Sequence, residues 1–262
     1  LVNAQGNKLN ISATPAKNMS VCGYEDTSRI AIYNISSSQI TSIKATLILP
    51  AGVTYIKGSL AGTGVTESNI TNLNRPVFAG PNLLIAQNFQ FRVRLKANCD
   101  IIPAMSGSNT PQIDVRVDYT GNFDVGSSIP FVPLIPSPGY AAITNLSFIG
   151  NVGDKFVRKV TLTNYGKGPL RSLQLLRING KDIGGVSQTG FSTKKSGDTL
   201  RTSFTTADFS KVGDKDTLLE QNESVTITDT FTINGCNKTG TYYEIGWGCE
   251  GKICQITKNN GS

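Results

Sequence analysis

A strand that alternates apolar and polar residues, ends at an asparagine and resumes as a second apolar run after a short polar or glycine-rich stretch occurs twice in this chain. The first copy is residues 29–34 (RIAIYN) running on to 43–49 (IKATLIL); the second is 157–164 (VRKVTLTN) running on to 170–176 (LRSLQLL). Adjacent strands of a β-sandwich are joined in this way, so a frame used twice predicts two sandwich modules. The length of 262 residues agrees, because two domains of about 130 residues can each bury a core of their own.

The expected class is all-β: two tandem antiparallel β-sandwich domains over 1–135 and 136–262. The joint is read at 129–139 (IPFVPLIPSPG), where four prolines and a glycine interrupt the strand pattern and predict a stiff, extended connector. Before it, Ile113, Val115, Val117 and Tyr119 alternate as the inward face of a closing strand. Charged residues make up only 16% of a chain that holds 27 Gly and 11 Pro, which describes a turn-rich β protein and argues against a helical one. Short helical turns are expected, with residues 205–211 the best candidate.

The formal charge of +7 raises nucleic acid as a partner, and the positions of the basic residues answer it. They are dispersed among Asp and Glu, with no Lys/Arg run interleaved with stacking aromatics, so an ordinary basic surface is expected and no nucleic-acid partner. The excess suits contact with anionic polysaccharide or envelope. The start, LVNAQ, reads as the end of a secretory signal, with Val2 and Ala4 at the small-residue spacing before Gln5; a plain tail is the alternative. No apolar run approaches the roughly 20 residues that cross a bilayer.

Five cysteines sit at Cys22, Cys99, Cys236, Cys249 and Cys254. In 89–99 (FQFRVRLKANC) the odd positions from Phe89 to Cys99 share one face and Arg92, Arg94 and Lys96 the other. Cys99 therefore belongs at the inner edge of the core. A bridge from it to Cys22 closes a loop of nearly eighty residues, stabilising by about 4 kcal/mol in the chain-entropy model; the alternative is two buried free thiols. A bridge requires an oxidising compartment and so points to secretion. Farther on, 249–254 (CEGKIC) reads as a tight hairpin with bridged ends, which leaves Cys236 free or paired elsewhere. Pairing of Cys236 with Cys249 or Cys254 stays open, because connectivity does not follow from sequence.

There is no histidine in the chain, which removes Ser-His-Asp and Cys-His nucleophiles, His metal sites and His acid-base work. Among the carboxylates, Glu25, Asp26, Asp114, Asp118, Asp124, Glu220 and Glu223 included, no spacing singles out a glycosidase-type pair. Three thiolates at Cys236, Cys249 and Cys254 lack the zinc-knuckle spacing and a fourth ligand. No EF-hand loop occurs, although carbonyls over 121–126 are a place where calcium could bind. No catalytic residue, metal or cofactor is expected. For carbohydrate, Trp247 shares an apolar face with Ile245 and is read as core, so Tyr165 and Tyr242 are the candidate ligand contacts.

The strand into Asn34, the strand into Leu49-Pro50, and then Ala51-Gly52-Val53-Thr54-Tyr55 and Gly58-Ser59 together resemble an Ig-like repeat of unknown function found in large bacterial cell-surface proteins. The second module keeps the corner from Asn164 to Gly168 and lacks the Leu-Pro element. Its ending, 246–255 (GWGCEGKICQ), looks like segments of very long Bacteroidetes-type surface proteins related to adhesion and gliding. The resemblance covers about half the chain. It implies Ig-like sandwiches in an exported protein on the outer surface of a Gram-negative bacterium, adhesive or structural, with no catalytic residues to carry over. Its partners would be other domains of the same long polypeptide, surface polysaccharide or another surface protein. The alternative is a carbohydrate-binding or accessory region of a secreted polysaccharide-degrading enzyme.

Overall fold

The computed structural model describes residues 7–105, 110–126, 128–147, 155–179, 186–191, 201–204, 216–233, 241–249 and 252–259. The chain divides into two compact units, Leu1–Pro133 and Leu134–Ser262. The expected helical turn at 205–211 and Cys236 lie outside the described residues, as does the start of the chain through Gly6.

In unit one the strands are β1 (Leu9–Thr14), β2 (Asp26–Asn34), β3 (Lys44–Ile48), β4 (Val53–Tyr55), β5 (Thr66–Asn69), β6 (Val77–Ala79), β7 (Asn88–Ala97), β8 (Gln112–Tyr119), β9 (Asn122–Val125) and β10 (Ile129–Pro130). One sheet runs β1-β2-β7-β4 and the other β10-β8-β3-β6-β5, with β9 also paired to β8. Every ladder between these strands is antiparallel.

Period-2 patterning drives this architecture. Along β7 buried and exposed residues alternate without a break, from Phe89 inward to Lys96 outward, and β8 buries Ile113, Val115, Val117 and Tyr119 as its pattern predicts. The two sheets meet through aromatics. Tyr55 of β4 stands edge-on to Phe78 of β6 with centroids 5.2 Å apart, and Phe78 lies 5.2 Å from Phe91 of β7. The sheet β1-β2-β7-β4 packs on the sheet that holds β8, β3 and β6, which is a two-layer antiparallel β-sandwich. A helical segment sits where none was anticipated: a 3-10 turn at Cys99–Ile101 continues as α1 (Ile102–Met105). Asn98 caps it by accepting from the Asp100 amide at 2.9 Å, an Asx device that ends β7.

In unit two the strands are β11 (Pro138–Ser147), β12 (Lys155–Asn164), β13 (Ser172–Asn179), β14 (Val186–Phe191), β15 (Arg201–Phe204), β16 (Ser224–Ile233), β17 (Thr241–Cys249) and β18 (Lys252–Asn259). The sheets run β11-β12-β16-β14 and β15-β13-β17-β18. Eight strands repeat the pairing of unit one: β11, β12, β16 and β14 take the places of β1, β2, β7 and β4, and β15, β13, β17 and β18 those of β6, β3, β8 and β9, while β5 and β10 have no counterpart among the described residues. Val160, Leu162, Leu173, Val225, Ile245 and Trp247 are buried. Trp247 is thus core, as its alternation with Ile245 predicts.

Little of the proline-rich segment is a free connector. Ile129 and Pro130 pair with Ile113 and Gln112, and the Phe131 amide donates to Pro111 O at 3.0 Å. On the other side Ile135 O accepts from the Gly168 amide at 3.0 Å and Ser137 O from the Tyr165 amide at 2.9 Å. Prolines here interrupt strands at sheet edges, where a missing N–H costs no ladder bond. Among the described residues no helix is long and apolar enough to cross a membrane.

Candidate functional site

The two corner asparagines are both fully buried and share a core of equivalent bonds. Asn34 Nδ2 donates to Ser38 O at 2.8 Å and to Leu83 O and Leu84 O at 3.2 and 3.0 Å, while its Oδ1 accepts from the Ser36 amide at 2.9 Å. Asn164 Nδ2 donates to Gly168 O at 2.8 Å and Leu219 O at 2.9 Å, and its Oδ1 accepts from the Gly166 and Ser137 amides, each at 3.0 Å. Each side chain closes an Asx turn and staples the corner to the loop that enters the facing strand, β7 or β16. Beyond each staple lies an isolated two-residue bridge, Ile40 with Leu83 and Leu170 with Leu219. The loop turns through a left-handed residue, Ala86 at φ 61° and Asn222 at φ 69°. The corners also differ in the residue two past the asparagine: a Cβ on Gly166 would sit on Ile135 O and Ser137 N. Unit one has Ser36 there, whose Oγ donates to Asn34 Oδ1 at 2.7 Å.

Several residues of the Leu-Pro element also have a structural use. Residues 50–53 form a turn, with the Val53 amide donating to Pro50 O at 3.1 Å and Gly52 at φ +79°. A Cβ on Gly52 would overlap the backbone nitrogen of Ile101, so only glycine fits. Tyr55 donates its hydroxyl to Glu67, whose Oε1 also accepts from the Gly58 amide at 2.8 Å. Burial, and then the Glu67 bond, push the Tyr55 phenol up to about 12. Tyr119 reaches about 12 as well, through burial and the charge of Asp124. Buried Asp124 accepts from the Lys8 and Leu9 amides at 2.9 and 2.8 Å and from the Tyr119 hydroxyl at 3.2 Å. Residues 121–126, weighed as a loop of carbonyls, are instead mostly hairpin strand: β9 spends its backbone on β8.

Cys22, Cys99, Cys249 and Cys254 are all disulfide-bonded. In unit one Cys22 lies beside the end of β7, its amide donating to Ala97 O at 2.9 Å, and Cys99 is buried at the core edge. In unit two Cys249 stands opposite Lys252 and the register shifts between Gly248 and Trp247, placing Cys254 in the bulge of the same hairpin. A chain with four oxidised cysteines belongs to an oxidising compartment outside the cytosol.

The candidate ligand tyrosines do not converge. Tyr165 is half exposed in the corner after β12. Tyr242 lies opposite Ile178, whereas Gly248 at the other end of β17 lies opposite Ser172, so the two tyrosines belong to opposite ends of β13, roughly 20 Å apart at 3.3 Å per residue. The Tyr242 side chain is outside the described residues.

Among the described residues several carboxylates have partners within the fold. Asp26 caps the Asn18 and Thr27 amides, Asp114 accepts from Ser128, Asp118 pairs with Arg116 at 2.7 Å, Glu25 pairs with Arg94, and Glu223 accepts from the Glu220 amide at 2.8 Å.

One surface was only half anticipated. The outer face of β2 and β7 exposes Arg29, Arg92, Arg94 and Lys96 together, with Arg29 directly opposite Arg92. Tyr33 stands farther along the same face, 37% exposed, opposite Asn88 on one side and Asn10 on the other. Alternation put the β7 cations outward; that Arg29 and Tyr33 join them depends on the β2–β7 register, which sequence does not supply.

No family model matches the chain, and no curated protein is matched. Among solved structures, red sea bream transglutaminase is similar over 97% of this chain and 31% of that chain, at 11% identity and a TM-score of 0.31. A likeness that slight carries no argument about activity.

Proposed function

We propose that this chain is a non-catalytic, adhesive or structural part of an exported bacterial cell-surface protein, a pair of Ig-like modules that space and present a binding face. The observation that carries the reading is the stapled corner repeated in both units, where buried asparagine side chains are committed to fixing strand connections. In this reading each module holds one disulfide, Cys22–Cys99 and Cys249–Cys254. The resemblance of residues 49–59 to a surface-protein repeat supports the same assignment, with neighbouring domains of a longer polypeptide as the first partners. A carbohydrate-binding region of a secreted polysaccharide-degrading enzyme is the second reading, favoured by the amide- and arginine-bearing face of β2 and β7.

The test is retention of the purified chain on an array of neutral and acidic glycans, with reducing-end release measured on every glycan that retains it. Retention on some glycans without release is expected. Release of reducing ends would overturn the non-catalytic reading.

A further inference from the structure

The face built by β2 and β7 in unit one is more basic than its fold requires. Arg29 and Arg92 occupy directly opposed positions, an arrangement in which like charges repel across about 5 Å and weaken the ladder. Arg94 and Lys96 continue the row along β7 at intervals of about 7 Å. Glu25 pairs with Arg94 and the Arg29 guanidinium is bonded to Gln90, so four cations face solvent against this one ion-paired carboxylate. Unit two shows that the architecture can do without most of them, since only Lys159 stands where unit one has Arg29. Counting back from its corner asparagine, the same sheet carries hydroxyl pairs, Thr161 with Thr226 at 3.0 Å and Thr163 with Ser224 at 2.6 Å, and sets Lys159 opposite Thr228.

We propose that this face of unit one binds a linear acidic polysaccharide through Arg29, Arg92, Arg94 and Lys96, with Tyr33 receiving a sugar ring farther along the strands. The inference rests on the exported, non-catalytic reading and adds to it a substrate class and a place. Three features select this occupant. Planar guanidinium forks match carboxylates in bidentate geometry and keep their charge at all relevant pH. The face runs along two extended paired strands, which suits a polymer better than a small anion. Tyr33 presents a π face to the apolar C–H side of a sugar, and Asn10 and Asn88 flank it with amides that both donate and accept to hydroxyls. A single-stranded nucleic acid would call for several stacking aromatics along the groove, and here Tyr33 stands alone among amides and hydroxyls.

The experiment measures binding of the whole chain to polygalacturonate, dextran sulfate, neutral dextran and single-stranded DNA at about 0.15 M salt, where charges beyond about 8 Å are screened. Binding to polygalacturonate is expected, with neutral dextran unbound; dextran sulfate binding more tightly would reassign the anion from carboxylate to sulfate within the same proposal. Arg92→Glu should weaken binding by about tenfold or more, and the milder Arg92→Ser by severalfold. Lys44→Glu makes the same charge change on β3 of the other sheet, where Lys44 is exposed, and should have less than about a twofold effect. Circular dichroism confirms that the variants fold. Equal losses for Arg92→Glu and Lys44→Glu would reduce the effect to net charge and overturn the proposal. Binding of DNA as tight as that of the polyuronate would overturn it in favour of nucleic acid. Failure to bind either acidic polysaccharide would overturn it while leaving the non-catalytic module reading intact.

Discussion

The Asn34 nitrogen faces three carbonyls and its oxygen accepts from Ser36, so the two ends of the amide cannot be exchanged. Asn34→Ala removes the staple and leaves buried backbone groups unpaired, which should destabilise unit one by about 3 kcal/mol. Asn34→Asp should cost more than the alanine change despite its near-identical shape, because it turns an oxygen toward the carbonyls of Ser38, Leu83 and Leu84 in a fully buried site. Urea denaturation followed by hydrogen exchange in unit-one peptides reads both, and an aspartate variant as stable as wild type would refute the donor assignment. The neighbouring loop offers a change of opposite sign. Ala86 holds φ 61°, a conformation that costs a Cβ-bearing residue about 1–2 kcal/mol. Unit two places Asn222 there, a residue that tolerates it better. Ala86→Gly should therefore stabilise unit one by about 0.5–1 kcal/mol after the extra unfolded-state entropy of glycine is subtracted. The same urea and exchange measurement checks it.

Two short elements hang on tyrosines, and pH separates their contributions. Tyr55 ties β4 to β5 through Glu67, and Tyr119 ties β8 to β9 through Asp124. Both phenols are raised from 10.0 to about 12, so the fold favours their neutral form. The stability this provides is fully present below about pH 10 and is lost as pH rises towards about 12. Wild-type unit one should lose stability steeply between about pH 10 and about pH 12, and Tyr55→Phe or Tyr119→Phe should flatten that limb. Urea midpoints across this range check the slope, and an unchanged slope in both variants would refute the assignment. The same elements show what sequence could disclose. Alternation in 89–99 and 113–119 exposes the inward faces of β7 and β8, because a strand half-buried in a sandwich writes its burial into every second residue. The corner asparagines are visible as strand ends, but their partners are not: the loops at 83–87 and 219–223 lie some fifty residues away and share little beyond a leucine and a Gln/Glu side chain. The turn at 99–105 escaped because its cap, Asn98, follows a strand rather than preceding an amphipathic run. The basic face was legible along β7 alone, since the partner strand and its register are long-range facts.

At the scale of the whole molecule, two units with a shared arrangement of eight strands differ in where their cysteines sit. In unit one Cys22 lies beside the end of β7 and Cys99 at the core edge, nearly eighty residues apart in sequence; in unit two Cys249 and Cys254 sit within one hairpin. If each pair is bridged within its unit, loop length makes the consequences unequal. The long loop removes far more freedom from the unfolded chain, worth about 4 kcal/mol, while the hairpin closure is worth about 2 kcal/mol. Trp247, the chain's one tryptophan, is buried in unit two, so its fluorescence follows that unit, and hydrogen exchange of peptides from β2, β7 and β8 follows the other. The Cys22→Ser, Cys99→Ser double variant should lower unit-one protection by about 4 kcal/mol. The Cys249→Ser, Cys254→Ser variant should move the Trp247 transition by about 2 kcal/mol. Proteolysis without reductant should release one peptide pair joining the segments around Cys22 and Cys99, and a second joined through Cys249 and Cys254. A peptide linking Cys236 to either hairpin cysteine, or one linking the two units, would refute the pairing. The unequal stabilities predicted from it would then have no basis.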